Sequence, residues 1–214
     1  MNRKIALFIA IALVLCCGLL LLWQKDTSTP TDQKDTAPAI DPFTATLQNP
    51  SPESLQTISS FVLEQFEQKT PQNLARIMTS AGVRFSPSLA VDATNDRIIG
   101  ISGLSQLFTD PNTYVWGTHS ASGDPINLTG SQYVTNYITN EPFATFTPTL
   151  NQISNQGNII PNLSTVYPNA QWIEYLEPGT SGNSNMDWNS LILVYEYQGN
   201  QWFLVGIVSG AWTI

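Results

Sequence analysis

His119 is the only histidine in 214 residues. Its imidazole could act as a general acid, a general base or a metal ligand. A zinc site built on two imidazoles is therefore excluded, and a serine–histidine–acid triad would have to use this one residue. His119 also lies beside a predicted turn, where exposed polar side chains are common. We predict no metal site and no cofactor, and the sequence assigns no catalytic residue.

Two other polar segments come close to ligand-binding loops without completing the pattern. Asp92, Asn95 and Asp96 cluster oxygen atoms, but a calcium loop also needs acids at alternate positions, a central glycine and a late glutamate. Residues 179–185 are small and polar, lack the lysine of a phosphate-binding loop, and predict a mobile hairpin connection. The only cysteines are Cys16 and Cys17, so residues 18–214 contain no thiol nucleophile, thiolate metal site or disulfide.

The charge balance excludes one class of partner. Residues 51–214 contain twelve carboxylic acids and only four cationic side chains, Lys69, Arg76, Arg84 and Arg97. A domain this acidic is repelled by a phosphate backbone, so nucleic acid is not expected as a partner. A protein or a small molecule remains the expected ligand.

Three side chains could build a pocket or simply the core. Arg84 lies between Val83 and Phe85 in a predicted strand and should be partly buried, where it needs a carboxylate partner. It is either half of a structural ion pair or an anchor for an anionic ligand. Trp116 and Trp188 are either pocket walls or core residues, and the core is the commoner place for tryptophan in a domain without disulfides.

The N-terminus predicts where these groups are displayed. Arg3 and Lys4 precede an uncharged apolar run over 5–23, and an α-helix of about 20 residues spans a bilayer. With the positive charge on its amino side, the run predicts a single-pass anchor that places the remainder outside the cytoplasm. A lipid anchor at Cys16 or Cys17 and full secretion are alternatives, although neither cysteine follows the small residue that lipoprotein cleavage needs.

The remainder divides into a tether and one domain. Residues 24–50 are rich in Thr, Pro, Asp, Gln and Lys and poor in large apolar side chains, which predicts a flexible tether. Residues 51–214 have the size of a single domain. The predicted organisation is therefore a membrane anchor over 1–23, a tether over 24–50 and an extracytoplasmic domain over 51–214.

Periodicity within 51–214 predicts helices first and strands last. Apolar residues three and four apart predict a helix from Pro52, and a second helix is predicted over 71–79. A short strand over 83–85, a short helix over 102–108, a strand over 114–119 and a helix with a Thr129–Gln132 capping box follow. Antiparallel strands are predicted over 171–176, 191–198 and 201–208, and their apolar runs indicate a covered sheet. The fold class is α+β.

This order of elements resembles the nuclear transport factor 2-like cone, in which helices pack on a curved antiparallel sheet that ends in a long apolar strand. The resemblance covers most of 51–214. The chain is also similar to membrane-anchored bacterial proteins of no known activity, over residues 82–87, 187–191, 204–207 and 212–214.

The cone implies a pocket, in which enzymes of that superfamily place a carboxylate as base beside a polarising donor; ketosteroid isomerase is one example. The candidate acids are Glu174, Glu196 and Asp187, and the candidate donors are Tyr114, Tyr175 and His119. Each acid has a simpler interpretation, because strand carboxylates usually face solvent and Asp often caps a loop.

Two functions follow from these observations. The first is a non-catalytic module outside the membrane that binds a ligand or a protein, and the second is a cone-type hydrolase or isomerase that uses a pocket carboxylate. Acid–base catalysis needs a carboxylate and a donor about 3 Å apart in a dry pocket. An interior filled by aromatic side chains would argue against the enzyme.

Overall fold

The computed structural model describes residues 41–212, which form a mixed α+β domain. The predicted fold class is therefore confirmed at this level. Within 41–212 no helix has both the length and the apolar character that crossing a bilayer requires. The predicted anchor over 5–23 and the first part of the predicted tether lie outside the described residues.

The first long helix forms as its sequence predicts. Helix α2 (Pro52–Glu67) begins at Ser51, whose hydroxyl accepts a hydrogen bond from the Ser54 amide at 3.2 Å. Its apolar stripe is buried and packs on the sheet: Leu55, Ile58, Val62, Leu63 and Phe66. The next segment, Pro71–Ile77, is a 3-10 helix rather than the predicted α-helix, and its cap residue Thr70 makes no side-chain capping bond.

Residues 41–49 are folded, although the sequence predicted a tether as far as residue 50. Helix α1 (Pro42–Gln48) is capped by Asp41, and Leu47 is buried in the main core. The Tyr197 hydroxyl donates to the Gln48 carbonyl oxygen at 2.8 Å, and the Trp202 indole donates to the Asn49 carbonyl oxygen at 2.9 Å. Residues 24–50 are polar on average, so composition did not predict the short helix Pro42–Gln48, which the two hydrogen bonds to the residues at its end hold against the sheet.

Within residues 41–212 the main sheet has six strands: β1 (Val83–Ser86), β2 (Arg97–Ile99), β5 (Thr149–Leu150), β6 (Ala170–Glu177), β7 (Asn189–Gln198) and β8 (Gln201–Ala211). Their order across the sheet is β2-β1-β8-β7-β6-β5. The three long strands agree with the predicted ones to within three residues at each end. The sheet is mixed rather than purely antiparallel, because β1 runs parallel to β8. The long connection between β1 and β8 allows this parallel pairing.

The hairpin of β7 and β8 is the centre of the sheet. Gly199 and Asn200 both have positive φ angles, 55° and 64°, as a two-residue type I′ turn requires. The register shifts between Val194 and Tyr195, and a bulge of this kind bends the strand. Apolar clusters cover both faces of the hairpin, which explains the nearly continuous apolar runs of the sequence.

A second, two-stranded sheet contributes Trp116 and Ile126 to the main core. It pairs β3 (Tyr114–Thr118) with β4 (Pro125–Leu128), and in the chain it follows helix α3 (Ile101–Leu104) and precedes helix α4 (Gly130–Tyr137). Helix α4 begins with both hydrogen bonds of the predicted capping box between Thr129 and Gln132. A short helix α5 (Leu163–Val166) lies in the long connection between β5 and β6.

Candidate functional site

Aromatic rings fill the interior between the helices and the main sheet. Trp116 stacks on Tyr133 with ring centroids 4.1 Å apart, and the Phe85 ring meets both edge-on at 5.7 and 6.0 Å. All three side chains are at most 1% exposed. Burial raises the pKa of the Tyr133 hydroxyl well above its usual range, so this hydroxyl is neutral. The interior in which the cone resemblance implied a catalytic carboxylate is therefore packed with aromatic side chains.

A small pocket opens beside this interior, and we call it the arginine pocket. It has a volume of about 110 Å³. Strands β2 and β3 and the turns after α3 position its side chains, among them Arg97, Ile99, Leu107, Asp110, Tyr114 and Trp116. Of the residues predicted from the sequence, the structure brings Tyr114 and Trp116 together here.

Arg97 is held in the arginine pocket by aromatic stacking. Its guanidinium carbon lies 3.9 Å from the centroid of the Tyr114 ring and 5.4 Å from that of Trp116. Its Nε atom is buried and has no hydrogen-bond partner among the described residues. Within 41–212 no carboxylate lies within 4 Å of the guanidinium nitrogens, whereas Arg76 forms an ion pair with Asp41 at 2.7 Å. The charge of Arg97 is thus oriented by rings and left without a direct counter-ion.

Asp110 and Tyr114 form a hydrogen-bonded pair at the side of this pocket. The Tyr114 hydroxyl donates to Asp110 Oδ2 at 2.6 Å, and the Asn112 side chain donates to Asp110 Oδ1 at 2.7 Å. The Tyr114 hydroxyl is the main cause that lowers the pKa of the Asp110 carboxyl, and the carboxylate in turn raises the pKa of Tyr114. Asp110 is therefore ionised and Tyr114 neutral near neutral pH.

A second cavity system, which we call the acidic groove, lies beside β3. Two adjoining depressions of about 480 and 120 Å³ share the walls Pro87, Ser88, Thr118, Ser120 and Ile159. Asp92 and Asp96 line the larger depression, and His119 lines the smaller one. The backbone of His119 is tied into the β3–β4 turn, and the side chain is exposed as predicted. Within 41–212 no hydrogen bond joins its imidazole to a serine or a carboxylate.

Asp96 is the buried acid of the acidic groove. It is 7% exposed, and its Oδ2 atom accepts a hydrogen bond from the Asp92 amide at 2.8 Å. Burial is the largest effect on this carboxyl and raises its pKa. Gly117, with φ +126°, faces it so closely that an added Cβ would lie 2.7 Å from Asp96 Oδ1. Gly117 and Asp96 are thus packed together, and the space between them admits no side chain at position 117.

Arg84 was expected to need a carboxylate partner, and that expectation is wrong for the described residues. The side chain is half-buried, and its Nη1 atom donates to the main-chain oxygens of Asp96 at 3.2 Å and of Asp92 at 3.5 Å. Two carbonyl groups of the loop between β1 and β2 thus accept from Nη1, where a carboxylate was expected. Arg84 therefore supports that loop, and it is not among the residues that line either site.

Glu174 was expected to face solvent, and the structure contradicts this. It is 0% exposed, and its Oε2 atom accepts hydrogen bonds from the Ser154 amide at 2.8 Å and the Ser154 hydroxyl at 2.6 Å. Burial raises the pKa of its carboxyl, and its Oε1 atom has no partner among the described residues. The loop after β5 covers this face of the sheet, which strand alternation alone could not show. Glu196, the other strand acid, is half-buried.

Asp187 and Trp188 have structural positions. Asp187 accepts hydrogen bonds from the amide and hydroxyl of Thr180 at 2.6 and 2.7 Å and from the Asn183 side chain at 2.7 Å. These donors lower the pKa of its carboxyl to about 2, as for a loop-capping residue. Trp188 is buried in the smaller apolar cluster, so neither residue joins Tyr114, Trp116 or His119.

The sequence did not single out Arg97, Asp110 and Asp96 as a group. Arg97 precedes two isoleucines, and strand alternation from Arg97 to Ile99 could have placed its side chain on an inner face. Asp96 was considered only as part of a calcium loop. Among the described residues no group of three or more His, Cys, Asp or Glu side chains is placed to hold a metal ion.

Comparison with known proteins adds little to this description. No protein-family model and no curated protein matches the chain. The search of solved structures found a Xanthomonas campestris protein assigned as a calcium/calmodulin-dependent protein kinase II association domain, with 10% identity, 76% of this chain and 89% of that chain covered, and a TM-score of 0.34. A score this low does not establish a shared fold. The structure of residues 41–212 is that of an α+β domain with a mixed six-stranded sheet, and the arginine pocket and the acidic groove lie on its surface.

Proposed function

We propose that this domain is a non-catalytic binding module whose arginine pocket takes a small aliphatic monocarboxylate. The observation that carries the proposal is Arg97, a half-buried cationic side chain that lines the cavity and whose buried Nε atom has no hydrogen-bond partner among the described residues. A buried donor without a partner destabilises a protein by about 1–3 kcal/mol. A carboxylate ligand would satisfy this donor and offset the charge.

The aromatic contacts prepare Arg97 for that role. Stacking on Tyr114 restrains the guanidinium plane before a ligand arrives, so little further ordering is needed on binding. A planar guanidinium with a free edge matches a carboxylate through two parallel hydrogen bonds. Arg76 offers the contrast, because it also lies over a ring, 4.4 Å from the centroid of Phe43, but Asp41 already satisfies it.

The volume and charge of the arginine pocket limit the ligand. About 110 Å³ admits only a few non-hydrogen atoms, and Ile99 and Leu107 offer apolar walls to a short aliphatic chain. The Asp110 carboxylate lies close enough to Arg97 for the arginine to lower its pKa. Its negative charge would repel a phosphate dianion more strongly than a monoanion, so a monocarboxylate is favoured. So small a ligand is expected to bind in the millimolar range.

The setting of the module is part of the proposal and is supported by sequence alone. We propose that residues 5–23, or a lipid at Cys16 or Cys17, hold the domain outside the cytoplasm at the cell membrane. We also propose that the domain is a nuclear transport factor 2-like cone. The order of elements supports this, from two helices through a short strand and helix to a sheet that closes on the long apolar strand β8. An enzymatic function is not proposed, because aromatic rings occupy the interior that a cone enzyme would use.

Isothermal titration of the domain with butyrate tests the proposal. Saturable binding is expected, with weaker binding of phosphate and none of butylammonium at the arginine pocket. Arg97→Met should abolish butyrate binding, and Arg97→Lys should weaken it because an ammonium lacks the planar fork. Arg76→Met is the matched control and should leave binding unchanged. Equal butyrate binding by Arg97→Met and the unchanged protein would show that the proposed site is wrong.

A further inference from the structure

We propose that the acidic groove is a second binding site of opposite preference, which takes a primary ammonium group on a short aliphatic chain. The site lies at the C-terminal end of β3 and is separate from the arginine pocket, since the two cavities share none of the residues that line them. The proposal therefore does not depend on the monocarboxylate proposal.

The groove is large enough for an organic cation rather than a bare ion. The larger depression measures about 480 Å³ and the adjoining one about 120 Å³. Their shared walls combine hydroxyl groups, at Ser88, Thr118 and Ser120, with apolar surface at Pro87 and Ile159. An ammonium group can donate three hydrogen bonds to such oxygens while its alkyl chain lies on the apolar wall.

Asp96 gives the groove its charge preference. The side chain is more than nine-tenths buried and lines the cavity, and the hydrogen bond it accepts from the Asp92 amide involves Oδ2. Its other oxygen, Oδ1, faces the bare Cα of Gly117. A buried carboxylate is unfavourable without a cationic partner. Arg84, whose charge acts on this carboxyl, donates to the main-chain oxygens of the same loop rather than to the carboxylate.

The remaining charges around the groove also favour a cationic ligand. Asp92 lines the same depression and is ionised, because the Asn95 side chain and the amides of Thr94 and Asn95 hold its pKa below the usual range. Among residues 41–212 no lysine or arginine lines either depression, and His119 is the single basic side chain along their walls. An anionic ligand would meet two carboxylates without a compensating cation, whereas an ammonium group would meet both.

Titration of the whole domain with butylammonium, followed by amide chemical shifts, tests this inference. Saturable shifts are expected at Ser88, Thr118 and Ser120, and Asp96→Asn should weaken binding at least about tenfold, since a charge-assisted hydrogen bond is lost. Asp124→Asn removes the same charge from the exposed end of the β3–β4 hairpin and should leave binding unchanged. Titration with Nα-acetyl-lysine-methylamide, whose side-chain ammonium is free, shows whether the groove also takes the lysine side chain of a partner protein or only a free amine.

A second variant protects the test against a folding defect in Asp96→Asn. Ser120 is exposed and lines both depressions, so Ser120→Trp should block the groove without disturbing the core. We expect both variants to lose butylammonium binding, and we expect the thermal unfolding midpoint of Ser120→Trp to be unchanged. The inference would be overturned if both variants bound butylammonium as tightly as the unchanged protein. It would also be overturned if butyrate bound more tightly than butylammonium at Ser88, Thr118 and Ser120, or if calcium displaced butylammonium.

Discussion

Leu47→Ala should destabilise the domain markedly if residues 41–49 belong to the folded unit. Leu47 is 3% exposed and packs in the main core. Truncation of a buried leucine destabilises proteins by about 2–5 kcal/mol, through the lost transfer free energy and the cavity left behind. Alanine is a slightly better helix former than leucine, so the lower half of that range, about 2–3 kcal/mol, is expected.

Urea unfolding of protein that spans residues 41–214 measures this difference. The midpoint should fall at an unchanged slope, because the same surface is exposed on unfolding. Gln48→Ala is the control: its side chain is exposed and its main-chain oxygen still accepts the Tyr197 hydroxyl, so a change within about 0.5 kcal/mol is expected. If Leu47→Ala were as stable as Gln48→Ala, helix α1 would not be docked and the predicted tether would extend to residue 50.

Three further predictions concern the buried acids, a helix cap and the arginine pocket. When folding raises the pKa of a carboxyl group, that group stabilises the folded protein below its unfolded pKa, and this contribution is lost as the pH rises through the folded pKa. Asp96→Asn and Glu174→Gln should therefore each reduce the fall in unfolding free energy between mildly acidic and neutral pH. A steeper fall in either variant, measured by urea unfolding, would contradict this. Thr129→Ala should destabilise the domain by about 1 kcal/mol through loss of the cap, and thermal unfolding at an unchanged midpoint would contradict it. Tyr114→Phe should raise the pKa of Asp110, as measured by carboxyl chemical shifts. An unchanged pKa would show that the Tyr114 hydroxyl is not the main cause of the lowered Asp110 pKa.

The regular elements of the fold were predictable because each depends on local pattern. The helix from Pro52 shows apolar spacing, Thr129 and Gln132 form a capping box, and the last strands are long apolar runs. Short strands such as Thr149–Leu150 were not predictable, because two residues carry no periodicity and their pairing depends on β6. The parallel pairing of β1 with β8 is likewise set by tertiary contacts.

The candidate sites were only partly predictable, for a related reason. Tyr114 and Trp116 could be chosen as aromatic residues of one strand, but their meeting with Arg97 depends on how β2 packs against β3. Glu174 lies on a strand face that the loop after β5 covers, and no pattern within β6 reports that cover. Burial of single charges such as Asp96 depends on distant segments, so composition and spacing could not distinguish it from an exposed loop acid.

The most direct test of the proposed function is the NMR signal of the Arg97 Nε–H group during titration with butyrate. That atom is buried and has no hydrogen-bond partner among the described residues, so a carboxylate that accepts a hydrogen bond from it would change its chemical environment. We predict a saturable shift of this resonance, with slower exchange of its hydrogen and no shift at the exposed Arg76. A resonance that stays unchanged while butyrate binds elsewhere, or no binding at all, would contradict the proposal.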